Sequence, residues 1–396
     1  MTAVRQAAAR AIDGLTVEGL RLFFPLAAVH AALWPFLWVV VHGYALPAAA
    51  MPAHLWHAQE MVFGAFGAAL IGFILSALPE WTDTPRIAGR ALLWLALPWL
   101  LARLVGLVGA EALLRLAAAG DLIWLGLLAA YATRLAATRP AGRLWAMAGW
   151  LWALAAAGFA TRYAFAVSDV ALASEALRAA LLIFLALLAL ALARILPVVL
   201  NLVLDPSQAS TPFRPHPGRR HLATGMVAVA LAGDLAGLSE PVEGFLLIGA
   251  GAAFLDRIGD AFIGRGFFRA EVLALVAAAG FAGIGLGLMG LERLGLVAGV
   301  ASVHLAAMGG LGFGVMGVFA VAGRLHTGQS LAVPPVTRLA MLLLLVAVVL
   351  RATPGLAPAL AHGAASIAWA GAFSLWLLAA WPAFADPAAR PHDACG

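Results

Sequence analysis

The stretch HLWHAQEM at residues 54–61 places two histidines, a glutamate and a methionine within about two helical turns. At about 100° per residue, His54, His57 and Met61 lie along one stripe of a helix, with Glu60 beside it. Imidazole is a common ligand of haem iron and of copper, and thioether sulfur favours Cu(I). The stretch therefore predicts a haem or metal site, in which Glu60 either holds the second ring nitrogen of His57 or carries protons. The alternatives are a solvated histidine at the membrane interface for His54 and a packing methionine for Met61.

A second stretch repeats this pattern further along the chain. WHAQEMVFGAFG at 56–67 and VHLAAMGGLGFG at 303–314 each contain a histidine, a methionine four residues later, and then glycines. His304 and Met308 are the histidine and methionine of the second stretch. Both helices are predicted to cross the membrane in the same direction, with their histidines at similar heights in the outer leaflet. Two such imidazoles suit axial ligation of one haem, and the glycines permit close approach of helices or of a flat cofactor. Chance likeness between two apolar, glycine-rich helices is the alternative.

Other histidines are expected near the cytoplasmic side of the membrane. His30 lies in the first apolar segment, and His326 follows the segment that carries His304. The 22 residues from His304 to His326 span about 33 Å in a straight helix, so these two cannot bind one metal ion. A second metal site at the inner face, formed by His326 with His30 or His221, is a further hypothesis.

The composition indicates a polytopic membrane protein. The chain has 396 residues, of which 64% are hydrophobic and 11% charged, and apolar stretches recur along its whole length. The 24 basic residues are all arginine, and they fall in short segments between apolar runs, where they set topology and need not bind nucleic acid. The single cysteine, Cys395, excludes an internal disulfide and a cysteine-based zinc or iron–sulfur site.

Twelve apolar segments approach the length of about 20 residues that a membrane-spanning helix needs. They are 22–43, 54–79, 87–109, 112–137, 142–166, 172–203, 220–238, 241–258, 269–291, 294–323, 336–353 and 356–383. The predicted fold is thus an all-α membrane helical bundle with about 12 transmembrane helices.

The distribution of arginines predicts the topology and the domain division. The side that holds the N-terminus collects 18 of the 24 arginines, which places both termini in the cytoplasm. The segment DPSQASTPFRPHPGRR at 205–220 is rich in proline and charge, and is interpreted as a cytoplasmic linker between six-helix halves at 22–204 and 221–384. Residues 1–21 and 385–396 are interpreted as cytoplasmic tails.

Five segments resemble the signature segments of the NnrS family. They are RLFFPLAA at 21–28, WHAQEM at 56–61, LPEWTDTP at 78–85, HLAAMGGLGFGVM at 304–316 and LHTGQSL at 325–331. The resemblance implies a twelve-helix bacterial membrane protein that contains haem and copper and is associated with nitric oxide metabolism and denitrification. It covers most of the chain in order and is most specific around the second and tenth predicted helices.

The resemblance also implies roles for particular residues: His57, Glu60, His304, His326 and Arg21. Where the family pattern has a second histidine in Trp-His-x-His-Glu-Met, this chain has Gln59. Positions 57 and 59 project about 200° apart on a helix, so their imidazoles would serve different metal centres. Loss of the imidazole at position 59 removes one metal centre and leaves the other. The expected cofactor is therefore haem, of the b type, and copper is disfavoured. The family's basic residue after the His-Thr-Gly turn is also replaced, by Gln329 and Ser330.

Three functions fit these observations. The first is a haem protein of the bacterial cytoplasmic membrane that binds nitric oxide, turns it over or relieves the damage it causes, with electrons from quinol or from a redox protein if it is an enzyme. The second is a secondary transporter, for which buried charges such as Asp121 and Asp234 are ordinary features. A duplicated transporter would match its second helix with its eighth, however, and here the second matches the tenth. The third is a haem or metal sensor or assembly factor without turnover.

Overall fold

The computed structural model describes residues 2–43, 52–108, 111–139, 144–298, 301–357 and 359–389. Within these ranges all regular elements are helical and no β-strand occurs. The α-helices are α1 (Thr2–Leu15), α2 (Gly19–Gly43), α3 (Ala53–Gln59), α4 (Gly67–Thr82), α5 (Arg90–Val108), α6 (Glu111–Thr138), α7 (Leu144–Ala166), α8 (Val170–Leu204), α9 (Arg219–Leu235), α10 (Glu240–Asp256), α11 (Ala270–Arg293), α12 (Ala301–His304), α13 (Gly312–Leu325), α14 (Pro335–Ala352) and α15 (Ala365–Phe384). The end of the predicted C-terminal tail, with Cys395, lies outside the described residues.

Nine helical stretches in the described part of the chain are long and apolar enough to cross a membrane. They are Gly19–Leu37, Ala53–Thr82, Leu114–Thr138, Leu144–Ala166, Val170–Leu204, Ala270–Arg293, Ser302–Leu325, Pro335–Ala352 and Leu360–Phe384. The prediction of an all-helical membrane protein is therefore confirmed. The other three predicted spans coincide with α5, α9 and α10, and α9 and α10 have only 17 residues each. The count of twelve spans and the cytoplasmic termini stay predictions.

The N-terminal segment, interpreted from sequence as a tail, contains helix α1. Its alanine-rich sequence has a high helix propensity, but 14 residues are too few to span a membrane. The segment directly after α15 contacts this helix, since a Cβ at Gly14 would overlap the backbone carbonyl group of Ala385. Only glycine permits that approach.

The chain forms two compact units. The first comprises Met1–Ala180, His326–Gln329 and Trp376–Gly396, and the second comprises Leu181–Leu325 and Ser330–Leu375. The boundary between residues 180 and 181 falls inside α8. The division into two six-helix halves at 205–220 stays a prediction.

Glycines bring the helices of the first unit close together. At Gly72 of α4, an added Cβ would lie 2.9 Å from the ring of Phe24 and 3.0 Å from Phe23. Both phenylalanines are fully buried. Helix α2 therefore packs against α4 through large aromatic side chains that meet a glycine surface.

In the second unit, glycines bring helix backbones into direct contact. A Cβ at Gly251 of α10 would lie 2.5 Å from the carbonyl oxygen of Gly283 in α11. A Cβ at Gly285 would lie 2.5 Å from the backbone nitrogen of Ala306. Helix α11 is thus fixed between α10 and the helix that carries His304 by small residues, as is common among membrane helices.

Candidate functional site

The two histidine stretches share an unusual backbone. α3, the π-helical segment Glu60–Phe66 and α4 form one continuous span, and α12, the π-helical segment Leu305–Leu311 and α13 form another. His57 precedes the first π segment by three residues, and His304 immediately precedes the second. π-helical turns are rare and frequently lie at functional sites. The likeness seen in sequence is therefore also a likeness of local structure.

The side chains of the two stretches differ in burial. His57, Met61, His304 and Met308 are all half-buried. His54 is exposed, in agreement with the alternative of an interfacial histidine. The two half-buried histidines lie in different compact units, and their joint ligation of one haem stays a prediction.

Aromatic side chains cover both glycines of the first stretch and two of the four glycines of the second. Gly64 lies against the imidazole of His30, and a Cβ at Gly67 would lie 3.2 Å from the ring of Trp124. In the second unit, a Cβ at Gly309 would lie 2.5 Å from Phe281 and one at Gly312 would lie 3.1 Å from Trp369. The expected close approach to these glycines is thus made by aromatic side chains of the protein itself.

A cluster of buried charges, centred on Asp121 of α6, lies beside the first π segment. Arg103 Nη2 donates to both carboxylate oxygens of Asp121 at 2.5 and 2.7 Å, and Arg162 donates from Nε at 2.8 Å and from Nη2 at 2.5 Å. Trp124 Nε1 donates at 2.9 Å and Gln59 Nε2 at 3.2 Å. A carboxylate with this many donors is held ionised, and it links α5, α6 and α7 to the end of α3.

Glu60 is the second carboxylate of the cluster. Its Oε2 lies 3.1 Å from Arg103 Nη1 and 3.5 Å from His30 Nε2, and its Oε1 lies 4.0 Å from Arg162 Nη2. With Asp121, Glu60 balances the two arginine charges, which is the condition under which such groups can be buried in a membrane. Whether it also orients His57 or carries protons stays a prediction.

His30 makes its hydrogen bond with the protein backbone. Its Nε2 lies 3.1 Å from the carbonyl oxygen of Glu60. A carbonyl oxygen only accepts, so this ring nitrogen carries a proton and cannot coordinate a metal ion. The ring is stacked on Trp34 at 5.0 Å and meets Trp99 edge-on at 5.7 Å. Nε2 is thus engaged within the protein, and the metal-binding role of His30 stays a prediction.

His326 lies between two carboxylates. Its Nδ1 is 2.9 Å from Glu18 Oε2 and its Nε2 is 3.4 Å from Glu80 Oε2. Burial lowers the pKa of His326, but hydrogen bonds and charge attraction from Glu18 and Glu80 outweigh burial and raise it to about 9. His326 is thus an imidazolium between two carboxylates at neutral pH, and its role as a metal ligand stays a prediction.

Arg21, to which the sequence assigned a cofactor-binding role, is fully buried and ties chain segments together. It donates from Nη1 to the carbonyl oxygen of Asp386 at 3.0 Å and from Nη2 to those of His326, at 3.1 Å, and Ala389. Its Nε lies 3.5 Å from Glu18 Oε1. The start of α2 is thereby fixed to the turn after α13 and to the chain's C-terminal segment.

A comparison with protein families identifies the chain. The model of the NnrS protein family matches residues 15–388, which is nearly the whole chain. The chain belongs to the NnrS family. A search of curated proteins found no match.

A haem fits His57 and His304 of this NnrS protein better than it fits the other predicted ligands. Both are half-buried imidazoles in membrane-spanning helices, next to π segments. By contrast, His30 donates from Nε2 to a carbonyl oxygen, His326 lies between two carboxylates, and His54 is exposed. Among the described residues, no three His, Cys, Asp or Glu side chains are grouped to hold a metal ion.

Copper does not fit position 59 of this NnrS protein. The amide nitrogen of Gln59 donates to Asp121, and the side chain is fully buried. A carboxamide is a poor ligand for copper compared with the imidazole of the family pattern. The expectation that copper is disfavoured in this chain stays a prediction.

Arg103, Arg162 and Trp99 are the site residues that sequence reasoning missed. The two arginines were counted on the outer side, at the ends of the spans 87–109 and 142–166, but they are only 3% and 5% exposed and pair with Asp121. A signal was available, since each arginine interrupts a long apolar run, in WLLARLVG and FATRYAFA. An arginine inside such a run needs a buried partner.

Proposed function

We propose that this NnrS protein is an integral haem protein of the bacterial cytoplasmic membrane that acts in nitric oxide metabolism or resistance. The observation that carries the proposal is that His57 and His304 each lie next to a π segment of a spanning helix, in a chain of the NnrS family. A third π segment among the described residues, Ala359–Ala364, contains His362. The imidazoles of His57 and His304 are the proposed iron ligands. When bound, the haem would supply the iron at which nitric oxide binds, provided that one ligand position is open or displaceable.

Nitric oxide can enter this site from the bilayer, and buried ion pairs of the protein make the site rigid. Nitric oxide is small, uncharged and soluble in lipid, so it reaches a site within the bilayer without a polar channel. The cluster of Asp121, Arg103, Arg162 and Glu60 connects the His57 helix to α5, α6 and α7 through buried ion pairs. It holds the backbone around the proposed ligand in one arrangement.

The deciding experiment is a visible absorption spectrum of the detergent-purified protein, with metal analysis of the same sample. We expect a Soret band and about one equivalent or more of iron. His57→Ala and His304→Ala should each abolish or alter the spectrum, whereas His216→Ala, in an exposed loop, should leave it intact. Absence of a Soret band in cells that supply haem would refute the proposal, and an unchanged spectrum in both ligand variants would refute the ligand assignment.

A secondary transporter is the competing function, because buried ion pairs within membrane helices are common in transporters. The cluster around Asp121 is the observation that favours it. The spectrum distinguishes the two functions, since a transporter needs no haem. A sensor or assembly factor would contain haem, but its reduced, purified form would not consume nitric oxide.

A further inference from the structure

We propose that His30 is a positioning residue that, together with Trp99, holds the π segment Glu60–Phe66 in place and so sets the orientation of His57. The two side chains belong to different helices, α2 and α5, and both bind main-chain carbonyl groups of that segment. The part of this inference that concerns iron rests on the proposed haem function. The part that concerns the backbone does not.

Side-chain donors reach carbonyl groups of the π segment. Where a helix changes from α to π geometry, the regular hydrogen-bond ladder shifts. The carbonyl oxygen of Gly64 accepts from the backbone N–H of Gly67, and the donor from Trp99 is added to that bond. His30 Nε2 donates to the carbonyl oxygen of Glu60 at 3.1 Å, and Trp99 Nε1 donates to that of Gly64 at 3.2 Å. These bonds lie at the first and fifth residues of the segment.

Glycine makes the approach of His30 possible. The imidazole lies so close to Gly64 that any Cβ at this position would overlap the ring. In the second unit, Gly309 of the other π segment is covered in the same way by Phe281. A phenylalanine ring therefore suffices to pack against a π segment, and the imidazole at position 30 adds a hydrogen-bond donor to that packing.

The same imidazole also reaches the side chain of Glu60. His30 Nε2 is 3.5 Å from Glu60 Oε2, the oxygen that lies 3.1 Å from Arg103 Nη1. Nε2 of His30 is thus near both the main-chain oxygen and a carboxylate oxygen of Glu60. Glu60 lies three positions after His57. A shift of His30 would move Glu60 and, through the shared helical turn, His57.

The test uses three substitutions in the full-length protein. His30→Phe keeps a planar ring and removes the donor, His30→Gln keeps an N–H donor, and Trp99→Phe removes the indole donor. His216→Ala is the control in an exposed loop. Hydrogen exchange of peptides that cover residues 57–67 measures the backbone, and haem content with electron paramagnetic resonance measures the iron ligation.

We expect exchange in residues 57–67 to be about fivefold faster in His30→Phe and in Trp99→Phe, the factor that follows from loss of one ordinary hydrogen bond. His30→Phe should keep its haem but show shifted resonance values. In His30→Gln, the exchange rate of residues 57–67 and the resonance values should both lie at least halfway back toward those of wild type. If His30→Phe does not fold, Trp99→Phe, which lacks a donor, is compared with His30→Gln, which keeps one.

Unchanged exchange in the donor-free variants would overturn the positioning role. Loss of haem from both His30 variants with normal exchange would overturn it as well, because it would make His30 an iron ligand. A wild-type protein without haem would refute the proposed function, while hydrogen exchange would still decide whether His30 and Trp99 hold the π segment.

Discussion

Asp121 and Glu60 are two buried carboxylates in one cluster, and their surroundings give them different tasks. Four side chains donate hydrogen bonds to Asp121. Glu60 lies 3.1 Å from Arg103 and 3.5 to 4.0 Å from His30 and Arg162. Asp121, which accepts the larger set of hydrogen bonds, is therefore the anchor of the cluster.

Removal of the anchor charge should destabilise the protein strongly. Asp121→Asn leaves Arg103 and Arg162 buried with one carboxylate instead of two, and breaking a buried ion pair in this way costs about 3 to 5 kcal/mol. Thermal unfolding in detergent should show a markedly lower midpoint. Asp13→Asn, at an exposed position of α1, is the matched control and should leave the midpoint unchanged. Equal midpoints for the two variants would contradict the anchoring role.

At the scale of elements, ion pairs around His326 join four parts of the first unit. Glu18 precedes α2, Glu80 lies near the end of α4, and His326 follows α13. Arg21 adds the C-terminal segment through Asp386. None of these contacts could be predicted from helix positions alone, because the partners are far apart in sequence.

This cluster should make stability depend on pH. The folded-state pKa of His326, about 9, is above the usual value of about 6.5, so the stabilisation of about 3 kcal/mol is fully present below pH 6.5 and is lost as pH rises through 9. The free energy of unfolding of wild type and of His326→Gln should be measured from pH 6 to pH 10. The two proteins should differ strongly near pH 6, and this difference should vanish near pH 10. A difference that does not change with pH would show that the imidazolium is not the stabilising species.

The close contact of α11 with the His304 helix gives a second prediction at this scale. Gly285→Ala would place a Cβ 2.5 Å from the backbone nitrogen of Ala306, and backbone atoms cannot rotate away. We expect a loss of about 1 to 3 kcal/mol, as for other overpacked contacts, and an altered Soret band because His304 is two residues away. The control is Gly287→Ala in the same helix, where an added Cβ meets nothing within 4 Å. Similar stability of both variants would contradict the tight contact.

At the scale of the whole molecule, apolar runs made the helices predictable. The pairing of the buried charges could not be predicted. Hydropathy averaged over 20 residues locates a span, so each predicted segment coincides with a helix of the structure. The same averaging hid Arg103 and Arg162, which were counted as charges of the outer side although they lie inside the predicted spans. Their role depends on Asp121, a partner on another helix that only the folded chain brings close. The π segments were missed for a similar reason, since they leave the hydrophobic pattern almost unchanged.

The prediction that both termini are cytoplasmic is unaffected by the burial of those two arginines. Of the 24 arginines, 18 fall on the predicted cytoplasmic side, and of the six assigned to the outer side two are buried in the cluster. When the buried Arg21 and Arg257 of the cytoplasmic side are left out in the same way, 16 arginines (18 − 2) stand against four (6 − 2), so the asymmetry that sets orientation is kept.

The single cysteine of the chain allows a direct test of this topology. A membrane-impermeant maleimide added to intact spheroplasts should leave Cys395 unlabelled and should label it after permeabilisation. In a Cys395→Ser background, Glu240→Cys, at the exposed first residue of α10 on the predicted outer side, should be labelled without permeabilisation. Labelling of Cys395 in intact spheroplasts would place the C-terminus outside, and the arginine asymmetry would then have to arise from something other than orientation.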